Sequence, residues 1–359
     1  MRAHAFSEHN KETDLMTRTL TLSLVAMATM ATAMPTAHAQ SSVTINGVLD
    51  LFGGSRQLAG AQRIKRLDSG GMTTSRWGFE GNEDLGGGLK AQFAMTGFIR
   101  MDTGQSGRND TDAFWQRYAY VGLQSSAGTF RLGRQTSPTF ASAIRFSPFA
   151  ESTVFAPYLL HMYAPAQPLL APINPLDSAA SNAVTYASPV FAGVSLSGLY
   201  SAGEQTSGGI NRSALGANYT TGPFAVSVTT ERTKIAGQFA ANASKLVNVQ
   251  GGTSYDLGVL KLFAQASRTT LDLIAGGERK FATYQLGTSV PVGLGSLLLS
   301  FAQTKKDEPL LADVKRRTTA LGYDYALSKR TDVYLIGLND RVTSLANGNT
   351  VAAGIRHRF

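Results

Sequence analysis

From Val43 onward the chain repeats one pattern: about ten residues in which small or apolar side chains alternate with polar ones, and then a break. "VTINGVLDLF" (43–52) opens the series, "LKAQFAMTGFI" (89–99), "GTFRLGRQ" (128–135) and "TDVYLIGLND" (331–340) continue it, and "TVAAGIRHRF" ends it at Phe359. A period of two is the signature of strands, whose successive side chains point to opposite faces. The breaks alternate between tight turns, such as "NEDLGGG", "SSA", "TGP" and "PVG", and longer polar stretches. The pattern predicts about sixteen strands, joined by short turns at one rim and longer loops at the other.

The two faces differ in kind. Phe130 and Leu132 lie opposite Arg131, Leu262 and Ala264 opposite Lys261 and Gln265, and Leu321, Tyr323 and Tyr325 opposite Asp324. Charges on one face and lipid-compatible residues on the other suit a wall between hydrocarbon and water. After residue 40 no stretch reaches 18 consecutive apolar residues. A chain that spans a membrane without such helices must close its strands into a barrel. The expected fold is therefore all-β, a transmembrane antiparallel β-barrel of about 16 strands, wide enough for an aqueous lumen. The last strand puts Val351, Ala353, Ile355, His357 and Phe359 on the lipid face, and Arg356 and Arg358 in the lumen. A chain that ends in mid-strand fits a last strand that closes on the first and leaves no edge.

Composition agrees. Charged residues are 16% of the chain, glycines number 37, and cysteine is absent, which removes disulfide frameworks and thiolate metal sites. The N-terminus holds an apolar run over 20–33 after Arg18, then "AHA" at 37–39. That is the layout of a secretory signal peptide, assigned to 1–39, with 1–15 as an upstream extension and 40–359 as the barrel. The formal charge of +9 stays with the remainder, because 1–39 holds equal numbers of acids and bases. Only two histidines follow it, His161 and His357, with no nucleophile motif, phosphate loop or metal-ligand spacing beside them. No enzyme, cofactor, metal site or nucleic-acid partner is expected.

The blocks "SRWGFEGNEDLGGGLKAQF", "FWQRYAYVGLQSSAGTFRLGRQTSP", "NAVTYASPVFAGVSLSGLYSAGE" and "LGYDYALSKRTDVYL", with the closing "GIRHRF", resemble general diffusion porins of the β-proteobacterial type. The resemblance runs over nearly the whole chain after residue 40. It implies a homotrimer in the cell outer membrane, a third loop folded into each lumen, and a C-terminal strand read by the barrel-assembly machinery through Phe359, His357 and Ile355. Outer-membrane lipids and lipopolysaccharide would surround it. That loop is placed at 136–180, the longest stretch without strand character. Arg76 in "SRWG" and Arg117 in "FWQRYAY" match positions of the family's arginine ladder, whereas Arg131 is placed inward by parity alone.

Such loops carry acids facing the ladder. Here Glu151 and Asp177 are the only acids and Arg145 the only strong base in a loop rich in proline and apolar residues. The family's arginine before the following strand is missing from "DSAASNAVTY". Trp77, Phe79, Tyr118 and Tyr120 read as lipid or interface aromatics, and His161 as a solvated loop histidine. The leading expectation is a passive channel for small hydrophilic solutes and ions with mild anion preference. A substrate-selective channel with a charge-poor, apolar constriction and a barrel plugged by its own loop are the alternatives.

Overall fold

The computed structural model describes residues 42–163, 177–203, 210–235, 243–307 and 312–359. The expected leader, 1–39, and part of the expected loop, 164–176, lie outside them. Antiparallel strands follow one another from β1 (Ser42–Arg56) to β17 (Gly348–Arg358), and β17 pairs back onto β1 with Asp50 opposite Arg356 and Leu51 opposite Ile355. Phe359 and Gly47 exchange backbone hydrogen bonds of 3.1 Å in both directions, so the last residue is part of the closing ladder. In hydrocarbon an unpaired amide costs several kcal/mol, and closure removes that cost at both edges at once.

Among the described residues, seventeen strands fill sixteen places. β2 (Ile64–Ser69) pairs with the upper part of β1, and β3 (Arg76–Gly86) pairs with its lower part. Between them the segment 70–75 leaves the ladder and is buried inside, apart from the half-buried Thr74. Nothing in the period-two alternation along the chain marks this break.

Face parity holds along most of the wall. Leu286, Leu299, Leu321 and Leu335 are exposed on the outer surface, whereas Gln285, Ser300, Ala320 and Ile336 alternate with them and are buried inside. No described helix is long and apolar enough to cross a membrane.

After β6 (Gly128–Thr136) the chain turns into α1 (Pro138–Arg145), capped by Ser137, whose Oγ accepts from the Phe140 amide at 3.1 Å. Pro138 suits the first helical turn, where its missing N–H leaves no bond unmade. A second helix, α2 (Pro157–Tyr163), follows, and the wall resumes at β7 (Ala179–Ala187). Both helices lie against inward-facing side chains. The close approach depends on glycines: a Cβ on Gly252 would sit 2.3 Å from the Phe146 ring, and one on Gly287 2.7 Å from Pro148.

Tyr158, Leu159, Leu160 and Met162 are fully buried against Leu246, Leu271, Phe281 and Leu298 of the wall. Full burial of each such side chain is worth roughly 1.5–3 kcal/mol. The described apolar residues of α2 therefore form a buried core with the wall, whereas the Pro- and Leu-rich part of the loop, 164–176, lies outside the described residues.

Gly47→Val is expected to weaken barrel closure, because a Cβ there would stand 2.6 Å from the Phe359 ring and the register cannot shift. Overpacking of this kind costs about 1–3 kcal/mol. The temperature at which the folded band converts to the unfolded band on a gel should fall.

Candidate functional site: the constriction

Three of the anticipated residues meet. Glu151 follows Ala150, a non-glycine residue at φ 44°, in a tight reversal where the Ala150 amide donates to the Ser147 carbonyl. Its carboxylate binds Arg76 Nη2 at 2.8 Å and faces Arg117 Nη2 at 3.6 Å. Arg76 is the first residue of β3, directly after the break in the wall. Arg117 is buried, with its guanidinium over the rings of Tyr118 and Phe140 at 4.8 and 5.8 Å. At an effective dielectric of about 20, opposite charges about 4 Å apart attract by roughly 4 kcal/mol. One carboxylate thus holds two cations, and the cluster keeps a net positive charge.

Arg117 reaches this position by a route that parity did not reveal. β5 (Tyr118–Ser125) starts after it, so Tyr120 pairs with buried Ala94 and points inward, as does Tyr118 opposite buried Thr96. The expected lipid-facing placement of Tyr118 and Tyr120 is corrected: Arg117 lies ahead of β5, so its inward side chain does not fix the alternation of the strand that follows. Trp77 and Phe79 do face outward and form an edge-to-face cluster with Phe114 and Trp115.

The other expected residues lie elsewhere. Asp177 does not oppose Arg76 or Arg117; it accepts from Arg108 Nη1 at 2.9 Å, from Gln116 at 3.1 Å and from Arg134 in a short contact. This knot ties the root of the third loop to the connection between β4 (Leu89–Phe98) and β5. Burial would raise the Asp177 pKa, but the hydrogen bond and charge of Arg108, with Arg134 and Gln116, hold it below the usual carboxylate range.

Arg131 faces inward as parity required, bonded to Gln92 Oε1 at 3.0 Å and stacked 4.8 Å over Tyr120. Arg145 leaves the end of α1 and donates to Thr220 Oγ1 at 2.6 Å and Asn218 at 3.4 Å, near the short-turn rim. Arg356 is tied to Asp332 and Asp324 at 2.9 Å, and Arg358 to Asp332 at 2.6 Å, so their charge is largely balanced. Ile355, His357 and Phe359 are exposed on the outer face of β17 and at its end. Arg108 and Arg134 of the loop knot were not anticipated, because their partner Asp177 is distant in sequence.

His161 is the largest departure. It is buried, with Nδ1 2.9 Å from Thr304 Oγ1 and Nε2 2.7 Å from Thr318 Oγ1. Thr318 donates in turn to Asp340, which also binds Arg316, and Arg316 Nη1 reaches the Leu160 carbonyl at 3.5 Å. Burial first, and then the Arg316 charge, push the imidazole pKa well below 6.5. A solvated loop histidine would have had no such lock.

A closed antiparallel barrel of sixteen strand places, with an apolar outer face and a polar, partly charged inner face, is the architecture of an outer-membrane channel. The profile of the family described as Gram-negative porin matches residues 23–342, so the chain belongs to that family. It is an outer-membrane protein forming a passive diffusion channel. Outer membrane porin protein 32 of Delftia acidovorans is 34% identical over 323 residues, covering 87% of each chain. An outer membrane porin protein of Bordetella pertussis is 27% identical, covering 94% of this chain and 99% of its own. Among solved structures, the anion-selective porin from Comamonas acidovorans superposes with a TM-score of 0.76 at 29% identity, covering 89% of this chain and all of its own. The trimer form of OmpT from Vibrio cholerae, 15% identical, shares the fold with a TM-score of 0.68, covering 89% of this chain and 99% of its own. Family and relatives point to a channel and not to catalysis.

The His161 lock carries a sign. Its pKa is lowered in the docked loop, so an undocked loop takes up a proton near pH 6.5 where the docked one does not. Docking is at full strength above that pH and weakens as the pH falls below it. Protease cleavage within the third loop should rise as pH falls from 7 to about 5, and His161→Gln, which cannot be protonated, should flatten the dependence.

Proposed function

We propose that the channel is mildly anion-preferring, works as a homotrimer, and sets its preference at Arg76, Arg117 and Glu151. The carrying observation is the stoichiometry of that cluster, two guanidinium groups against one carboxylate. Arg131 and Arg145 add positive charge to the lumen and have amide, hydroxyl and aromatic neighbours in place of acids. An anion about 5 Å from one unit charge in water gains roughly 0.8 kcal/mol, about fourfold in relative permeability. The solutes are small, hydrophilic molecules and ions. That a structural relative is titled an anion-selective porin supports the reading. The described apolar residues of α2 pack on the wall, which favours the diffusion reading over the substrate-selective alternative.

For the trimer, the supporting feature is an outward apolar groove of about 710 Å³ lined by Val43, Phe93, Val121, Leu123, Phe130 and Leu132. A neighbouring barrel would cover this face beside the Trp77 cluster. On the opposite arc, near the long-loop rim, Lys315 stands directly across from Lys305 and Arg317 from Arg341. Lys305 is paired with Asp313 at 2.7 Å; directly opposed like charges repel, and phosphates of lipopolysaccharide would offset what repulsion remains. Ile355, His357 and Phe359 would be read by the barrel-assembly machinery before closure. No cofactor is involved.

The test is single-channel recording in a planar bilayer with a salt gradient. Openings in three equal steps and a zero-current potential signalling Cl⁻ preference are expected. Arg117→Ala should lower the anion-to-cation permeability ratio by about fourfold, and Glu151→Gln should raise it by about as much. Folded protein without conductance, or with cation preference, would refute the proposal.

A further inference from the structure

We infer that Asp50 is the positioning residue of the constriction: its carboxylate holds the break in the second wall strand in shape, and through that break sets Arg76 and Glu151 against each other. The inference rests on the reading of Arg76, Arg117 and Glu151 as the selective constriction.

The break would leave a run of backbone donors without a strand partner. The Gly70 amide donates to the Asp50 carbonyl at 2.8 Å. The next three amides converge on the Asp50 side chain: Gly71 on Oδ1 at 3.0 Å, Met72 on Oδ2 at 2.9 Å and Thr73 on Oδ2 at 2.8 Å. Tyr334 donates its hydroxyl to Oδ1 at 2.5 Å. The Asp50 amide donates to Ser75 Oγ at 2.9 Å, and Ser75 Oγ–H donates back to the Asp50 carbonyl at 2.9 Å. A fully buried carboxylate thereby receives four hydrogen bonds, all of which its charge strengthens.

Both members of the selective pair hang from this clamp. Arg76 follows Ser75 directly, and its Nη1 donates to the Thr74 carbonyl at 3.3 Å. Glu151 precedes Ser152, whose hydroxyl donates to the Gly71 carbonyl at 2.6 Å. Arg356, held by Asp332, supports the break from its other end through Thr73 Oγ1 at 3.0 Å. A Cβ on Gly71 would lie 2.1 Å from the Tyr334 hydroxyl, so the clamp closes only around a glycine. Asparagine at position 50 keeps the volume but its NH2 must face at least one of the backbone N–H groups of Gly71, Met72 and Thr73, donor against donor.

The experiment compares wild type, Asp50→Asn, Tyr334→Phe and Arg76→Ala as full chains in planar bilayers under a salt gradient, after a gel shift has established folding. Asp50→Asn should lower the anion-to-cation permeability ratio by about twofold, part of the fall of about fourfold expected for Arg76→Ala, and raise open-channel noise. Tyr334→Phe, which removes one donor and keeps the ring, should move both in the same direction by less. Added to Arg76→Ala, Asp50→Asn should change the ratio no further, which a general loosening of the barrel would not reproduce. If Asp50→Asn does not fold, Tyr334→Phe decides. Wild-type ratios and noise in the folded clamp variants, with Arg76→Ala altered, would overturn this inference alone. An unchanged Arg76→Ala would overturn the constriction reading and this inference with it.

Discussion

A wall immersed in hydrocarbon cannot leave its amides unpaired, and the pairing of β17 with β1 is where this chain meets that constraint. The ladder runs from Val48 opposite Arg358 to Ser55 opposite Val351 and is completed by Phe359 against Gly47. Once it is closed, the alternation of side chains sorts every strand without further instruction. Leucines such as Leu299 and Leu335 face lipid, and Ser300 and Ile336 beside them face in.

The wall departs from regular pairing at 70–75, and it does so where the backbone is covered by protein, since irregular chain facing lipid would be too costly. The Asp50 carboxylate and Ser75 hydroxyl take the place of the missing strand partner. That substitution has a consequence for the lumen. The chain re-enters the ladder at Arg76, close enough to the third loop for a 2.8 Å ion pair with Glu151. The break in the sheet and the Arg76–Glu151 ion pair are therefore adjacent parts of one structure.

The third loop is held in two different ways. Around α2 a dry core of Tyr158, Leu159, Leu160 and Met162 meets wall residues such as Leu246 and Phe281, with His161 bonded at both nitrogens. At the root, Asp177 gathers Arg108, Arg134 and Gln116 into an ionic knot. Apolar burial carries most of the docking, while the polar groups fix register, because each is satisfied only in one geometry. This division lets the apolar helix α2 and Glu151, which meets Arg76 and Arg117, belong to the same loop.

The sequence by itself determined the barrel, its approximate strand number, its lipid and lumen faces, and the place of the long loop. Each follows from a local alternation with a period of two. It also singled out Arg76, Arg117 and Glu151, by resemblance and by the scarcity of loop acids. Only the tertiary structure decided which groups meet. Asp177 was indistinguishable from Glu151 as a loop acid, yet it closes the loop root, 69 positions from Arg108. Tyr118 and Tyr120 face inward because Arg117, from which the alternation was counted, lies ahead of β5 and outside its period of two. Asp50 sits inside the alternating run of β1 with nothing beside it in sequence to mark its role, and its partners Gly71 and Tyr334 lie 21 and 284 positions away. Alternation is written in neighbours along the chain, whereas hydrogen-bond partners are selected by closure of the barrel, and no local pattern encodes that choice.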